Sequence, residues 1–196
     1  MREIPVFVFV LTLSLGSALA ATPAPAPVEY YENAHNVLDI DKGSQVWNEL
    51  PAQERAAHED EGGVFQPVKD ILLLQARGHD RLAFCVQHIG RHLHQCQISG
   101  VAERASGNVF VYRERAVDFE DRAVECAVSL SRSATRIGVD ELEQTASPDV
   151  SHDCRDYCGA HATLADGIEF ETAHRRRDAR VIAAAQNKNG GCPLPP

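Results

Sequence analysis

Residues 151–170 read SHDCRDYCGAHATLADGIEF. This segment concentrates Cys154, Cys158, Gly159, Gly167 and Phe170 after a long run of strand-like sequence, and it reads as a clasp that closes a β-rich domain. Gly159 is placed to redirect the chain after Cys158. Gly167 is placed to form a positive-φ turn between a short helix over 160–165 and a last strand over 168–172.

Upstream of the clasp, β-type runs at 71–76, 82–88, 92–99, 109–113, 124–130 and 135–139 alternate with turn-like breaks at 77–80, 89–91, 106–108 and 131–134. Breaks of this length and residue type join antiparallel neighbours. The expected class is therefore mainly β with peripheral helices (α+β): an antiparallel meander or barrel-like sheet closed by disulfides. In 124–130, VECAVSL, the apolar residues alternate, which turns Cys126 toward the core. Leu82, Phe84 and Val86 share one face and leave Cys85 on the other. A three-residue loop at 89–91 sets Phe84 opposite Cys96 and Leu82 opposite Ile98, which joins two apolar faces and turns Cys96 inward.

Residues 1–20 carry Arg2, an apolar stretch over 6–15 and then Ala18-Leu19-Ala20, the pattern of a signal peptide cleaved before Ala21. The apolar stretch is shorter than the roughly 20 residues a spanning helix needs. The expected product is soluble, in the periplasm or secreted, with no membrane span after cleavage. Residues 21–27, ATPAPAP, form a Pro/Ala linker. Residues 28–196 are expected to be one disulfide-stapled domain, with a helical N-terminal part at 28–63, a β-core at 64–172 and a C-terminal helix and tail at 173–196. Ser44 is placed to cap a helix beginning at Gln45, Pro51 to restart a second one over 52–59, and Trp47 to pack on the sheet.

Export also decides how the six cysteines are read: an even number in an oxidising compartment predicts three disulfides. The inward Cys96 and Cys126 are matched with Cys154 and Cys158, in an order the sequence leaves open. A Cys154–Cys158 bridge is the alternative, because this spacing on a turn can bring Cα atoms within about 6 Å. The outward Cys85 is matched with Cys192, which follows a helix expected over 175–186 and the run Asn189-Gly-Gly191.

With 28 acidic against 19 basic residues the net charge is -9, which argues against phosphate-backbone binding and so against a nucleic-acid partner. The basic run Arg175-Arg176-Arg177 reads as a solvated helix face. His88, His92 and His94 cluster at one hairpin tip, and in the expected register His88 and His92 sit opposite, with Cβ atoms about 5 Å apart. Imidazoles that close can hold zinc or copper, but no fourth ligand is indicated, so solvated histidines are the simpler reading and no cofactor is expected. Cys158-Gly-Ala-His161 sets a thiol three residues before an imidazole, although an exported cysteine among five others is expected to be oxidised. Carboxylates are so abundant that some pair is always available for glycoside chemistry, which makes that signal uninformative. Asp39-Ile-Asp41-Lys-Gly43-Ser44 departs from a calcium loop, since Gly43, Ser44 and Leu50 stand where an oxygen ligand, Gly and Glu are required. The sequence has no Gly-x-Ser-x-Gly, His-Glu-x-x-His or phosphate-loop motif.

The string Cys154-Arg-Asp-Tyr-Cys158-Gly-Ala-His-Ala-Thr-Leu-Ala-Asp-Gly167 resembles a C-terminal cysteine motif of small exported proteobacterial proteins, some of which are similar to periplasmic lysozyme-inhibitor families. Cys96-Gln-Ile-Ser-Gly100-Val-Ala102, Tyr112 and Cys126 fit the same layout. The resemblance runs from Leu82 to Phe170; the helical modules associated with such inhibitors carry cysteines of their own, and none precedes Cys85 here. It implies an exported, disulfide-closed β-domain and, beyond that, inhibition of a peptidoglycan hydrolase. The expected function is a non-enzymatic exported binding protein, of inhibitor or immunity type, whose partner is another exported protein such as a cationic cell-wall hydrolase. An envelope scaffold is the second reading, and a cysteine-dependent hydrolase or metal-binding protein the third. The expected contact loops are 88–92, with His88 and His92, and 146–153, with Asp149 and Asp153.

Overall fold

Runs rich in Val, Ile, Tyr and Phe, broken by glycine turns, favour pleated pairs whose outer faces stay polar. In the computed structural model, which describes residues 25–117, 123–142, 151, 152, 154, 157, 158, 163, 164, 167–187 and 191–195, these runs build one sheet. Strands β1 (Glu29–Asp41), β2 (Gly63–Ala76), β3 (Arg81–Ile89), β4 (Gln95–Ser106), β5 (Val109–Val117), β6 (Ala123–Arg132) and β7 (Arg136–Glu141) pair antiparallel in chain order. The two-residue β8 (Ser151–His152) lies parallel to β6, and β9 (Ile168–Glu171) pairs antiparallel with β7. The sheet then returns to its own start: Tyr30 and Arg176 exchange both backbone hydrogen bonds, at 3.0 and 2.8 Å. The expected mainly β, barrel-like class is the observed one. None of the described helices is long and apolar enough to cross a membrane.

Inward side chains from β1 to β7 and β9 fill the barrel, among them Tyr31, Leu72, Phe84, Ile98, Leu130 and Phe170. Cys126 lies in this core, as the alternation in β6 requires. Gly100 sits opposite Phe84, and the ring of Tyr112 occupies the space a side chain there would take: a Cβ on Gly100 would stand 2.2 Å from Tyr112 Cε2. The same ring meets Phe84 edge-on, with centroids 5.3 Å apart. A second apolar cluster lies outside the sheet, where Tyr30, Leu73 and Cys85 are covered by Ala185 and Cys192.

The covering element is the C-terminal α3 (Ala179–Asn187), held by the Cys85–Cys192 disulfide. The clasp is tied by Cys96–Cys158 and Cys126–Cys154, so both strand cysteines reach the clasp and the order the sequence left open is settled. The order follows from β8. Its parallel pairing of Val124 with Ser151 and Glu125 with His152 carries the chain along β6 and delivers Cys154 to Cys126. Gly167 has φ of +71° and its N–H bonds the Leu164 carbonyl at 3.1 Å, the turn expected of it. Residues 1–24, Gly159 and most of the helix expected at 160–165 lie outside the described residues.

The N-terminal part, expected to be helical, begins with β1, thirteen residues long. Its inward positions include Asn33 and His35, which break the apolar alternation that reveals a strand. The helices expected after it are present: Ser44 Oγ accepts the Trp47 N–H at 3.1 Å to cap α1 (Gln45–Glu49), α2 (Ala52–Ala57) follows Pro51, and Trp47 is buried. The β3–β4 pairing places Phe84 against Gly100 and His88 against Cys96, and the two strands are joined by the five residues 90–94. The slip of four residues from the expected register is even, so the inward faces are unchanged. The basic run is extended rather than helical. Arg175 and Arg177 reach Glu29 at 3.2 and 3.0 Å, and Arg132 joins them at 3.1 Å. Burial alone would push the Glu29 carboxyl up; the Tyr31 hydroxyl, Arg177, Arg132 and Arg175 more than offset it and hold it below the ordinary glutamate range. These contacts seal the seam where the last strand meets the first.

Candidate functional site

A meander sorts its connections onto two ends. At one end the turns at 77–80, 107–108 and 133–135 are short. The first two contribute Gly78, His79 and Asn108 to the rim of a cavity of about 230 Å³ floored by Leu74, Leu82, Phe110, Leu130 and Ile137. Two of the guanidiniums at its rim are already engaged, Arg132 with Glu29 and Arg104 over the Phe110 ring at 4.5 Å and on the His79 and Gly107 carbonyls. At the opposite end lie the longer connections, 42–62 with α1 and α2, and the hairpin tip 90–94.

The hairpin tip is built against its backbone preferences. His92 and Leu93 are consecutive non-glycine residues at φ of +54° and +58°, the left-handed region in which each L side chain costs about 1–2 kcal/mol. Contacts to the end of β1 hold it there. Arg91 meets Asp41 at 2.5 Å, His92 Nδ1 bonds the Asp39 carbonyl at 2.7 Å, and His92 Nε2 lies 3.2 Å from Asp41. Within the tip the Gly90 N–H donates to the His94 carbonyl at 2.8 Å. The conformation presents Leu93 outward, 46% exposed. Among the described residues the other two exposed large apolar side chains, Val46 in α1 and Phe65 near the start of β2, belong to the same end of the barrel. The connection over 42–62 adds Glu49, Glu54, Glu59, Asp60 and Glu61 against Lys42 and Arg55, so this end is acidic as well as apolar.

Beneath the tip is a polar cluster inside the barrel. His35 of β1, Asp70 of β2 and His88 of β3 are in phase with the inward Tyr31, Leu72 and Phe84 of their strands. Asp70 is 1% exposed, and its Oδ1 accepts from the Ile89 N–H and from His88 Nδ1, both at 3.0 Å. His35 Nε2 donates to the Ile89 carbonyl at 3.2 Å, and its Nδ1 lies 3.5 Å from Asp70 Oδ2. The two imidazoles stack at 5.8 Å.

Of the three histidine metal candidates, only His88 belongs to this cluster; His92 is bound to β1, and His94 ends the hairpin tip just before β4. His88 and His92 are not cross-strand partners, because the five-residue loop pairs His88 with Cys96. Asp149, Asp153 and His161 lie outside the described residues. Cys158 is bonded to Cys96, and all six cysteines are paired, so no thiolate is available for nucleophilic chemistry in this state. His35 and Asp70 went unrecognised because they are polar residues at inward positions. Their signal is phase alone: Tyr31, Asn33, His35 and Val37 in one strand, and Asp70, Leu72 and Leu74 in the next.

The architecture defines a class, a disulfide-clasped antiparallel barrel with one braced loop end. No known protein family, curated protein or solved structure matches the chain.

Proposed function

We propose that this protein is exported, performs no chemistry, and binds another exported protein of net positive charge through the long-loop end of its barrel. The observation that carries this reading is the tip over 90–94, where two consecutive non-glycine residues are held in left-handed conformations by β1 while Leu93 faces solvent. Strain of this kind persists only where surrounding contacts over-determine it, and it recurs at ligand clamps. A loop held rigid before binding loses little entropy on docking, which is how a small surface gains affinity. The acidic connection beside it, and the overall charge of -9, favour a cationic partner and speed its approach at low salt. A cationic cell-wall hydrolase such as a lysozyme fits that chemistry, and inhibition follows if the tip enters its cleft.

The test is titration of the purified protein into lysozyme and lytic transglycosylase assays at low and high salt, with pull-down from an envelope extract in parallel. Leu93→Asp is expected to weaken a partner's binding about ten-fold or more while leaving the melting temperature nearly unchanged, since the side chain is half exposed. Binding unaffected by Leu93→Asp, or turnover of a cell-wall substrate by the protein itself, overturns the reading.

A further inference from the structure

We infer that His35, Asp70 and His88 form a binding site for a single divalent transition-metal ion, zinc foremost. One nitrogen of each ring and one Asp70 oxygen lie within 4.8 Å of one another. Zinc bonds of 2.0–2.2 Å in tetrahedral geometry set ligand atoms about 3.4 Å apart. His35 Nδ1 lies 3.5 Å from Asp70 Oδ2 and His88 Nδ1 lies 3.0 Å from Asp70 Oδ1, on either side of that distance, and turning the partly exposed rings toward one oxygen closes the remainder. Three strands supply the ligands, one each from β1, β2 and β3, so the backbone holds the set before any ion arrives.

The hydrogen bonding around the cluster points to a cation. The Ile89 carbonyl can only accept, so His35 Nε2 carries the proton and Nδ1 is left facing Asp70 Oδ2. That nitrogen is buried and makes no hydrogen bond. In the neutral ring its lone pair is aimed at a carboxylate oxygen, an arrangement that needs positive charge between the two, from a proton or from a metal ion. A metal ion supplies it, and the Nε2–H to carbonyl bond is the outer contact that orients metal-bound histidines. Asp70, almost wholly buried, is likewise a carboxylate that needs a counter-charge. Two imidazoles and one carboxylate suit zinc or copper; calcium and magnesium prefer all-oxygen sites. Three protein ligands leave a fourth position, and the partly exposed edges of His35 and His88 give water access to it. The ion would replace the proton that His88 Nδ1 now donates to Asp70, and would fasten the base of the hairpin tip through Ile89.

Chelator-treated, fully oxidised protein is titrated with zinc chloride by calorimetry, and with cobalt(II) to read coordination from the visible spectrum. The expected result is one ion per chain with a dissociation constant of about micromolar or tighter, tetrahedral cobalt bands, and a raised melting temperature. His35→Ala is expected to weaken binding about ten-fold to a hundred-fold. Asp70→Asn should abolish it, and His79→Ala, at the other end of the barrel, should leave it unchanged. Because Asp70 also bonds the Ile89 N–H, Asp70→Asn is checked by circular dichroism, and the decision rests on His35→Ala if that variant unfolds. No binding tighter than about 100 micromolar, or full affinity in His35→Ala, overturns the site. Neither result depends on whether a protein partner exists.

Discussion

Glu29→Gln removes one charge from the seam of the barrel and nearly nothing else. The side chain is 13% exposed, within 3.0 to 3.2 Å of Arg132, Arg175 and Arg177, and accepts from the Tyr31 hydroxyl at 2.7 Å. Glutamine keeps the shape and still accepts from Tyr31, so the loss is the electrostatic part of three ion pairs whose arginines are 39 to 52% exposed. Such partly screened pairs contribute about 0.2–1 kcal/mol each, so the total is about 2 kcal/mol, or roughly 4–8 °C in melting temperature for a chain of this size. The pH dependence gives the sharper test. The Glu29 carboxyl is held below its ordinary value of 4.5 in the folded protein. Its stabilisation is therefore complete above that value and lost as pH falls through the folded one. Thermal melts of both proteins from pH 7 downward should show a gap that is widest near neutrality and narrows below pH 4.5. A gap that stays constant across the range, or no gap at pH 7, refutes the assignment of the seam to this charge cluster.

Two further substitutions probe the packing. Gly100→Ala drives a methyl into the Tyr112 ring and should destabilise by about 3 kcal/mol, the sum of overpacking and a disturbed aromatic pair; in a Tyr112→Leu background the urea midpoint should move much less, and an equal shift in both backgrounds contradicts the contact. Gly167→Ala puts a side chain at φ of +71° with its Cβ 2.5 Å from Asp140 Oδ1, and should cost about 1–2 kcal/mol or more; a change under about 0.5 kcal/mol in equilibrium unfolding contradicts the turn.

Cys126 faces the core because VECAVSL alternates, and Cys85 faces outward because Leu82, Phe84 and Val86 do not; from those two orientations the partition of the cysteines between clasp and tail follows. Ser44 at its cap and Gly167 at its positive φ were equally readable, because each acts within a few residues of itself. β1 was not, because Asn33 and His35 stand where the pattern requires apolar residues. The same substitution of polar for apolar that hides the strand builds the cluster with Asp70 and His88.

Which face each strand turns inward, and which residues cap and turn, is already set by the order of residues, since those features depend on a period of two and on local backbone sterics. Tertiary structure alone decided the β3–β4 register, the order of the clasp disulfides and the fate of the three arginines. A slip of four residues leaves every face unchanged and so is invisible to alternation; in the observed register Phe84 lies opposite Gly100 and meets the edge of the Tyr112 ring that covers it. Arg175 to Arg177 are charged in any conformation; only the closing of the barrel on Tyr30, with Glu29 beside it, gives them an anion to bind and a reason to be extended.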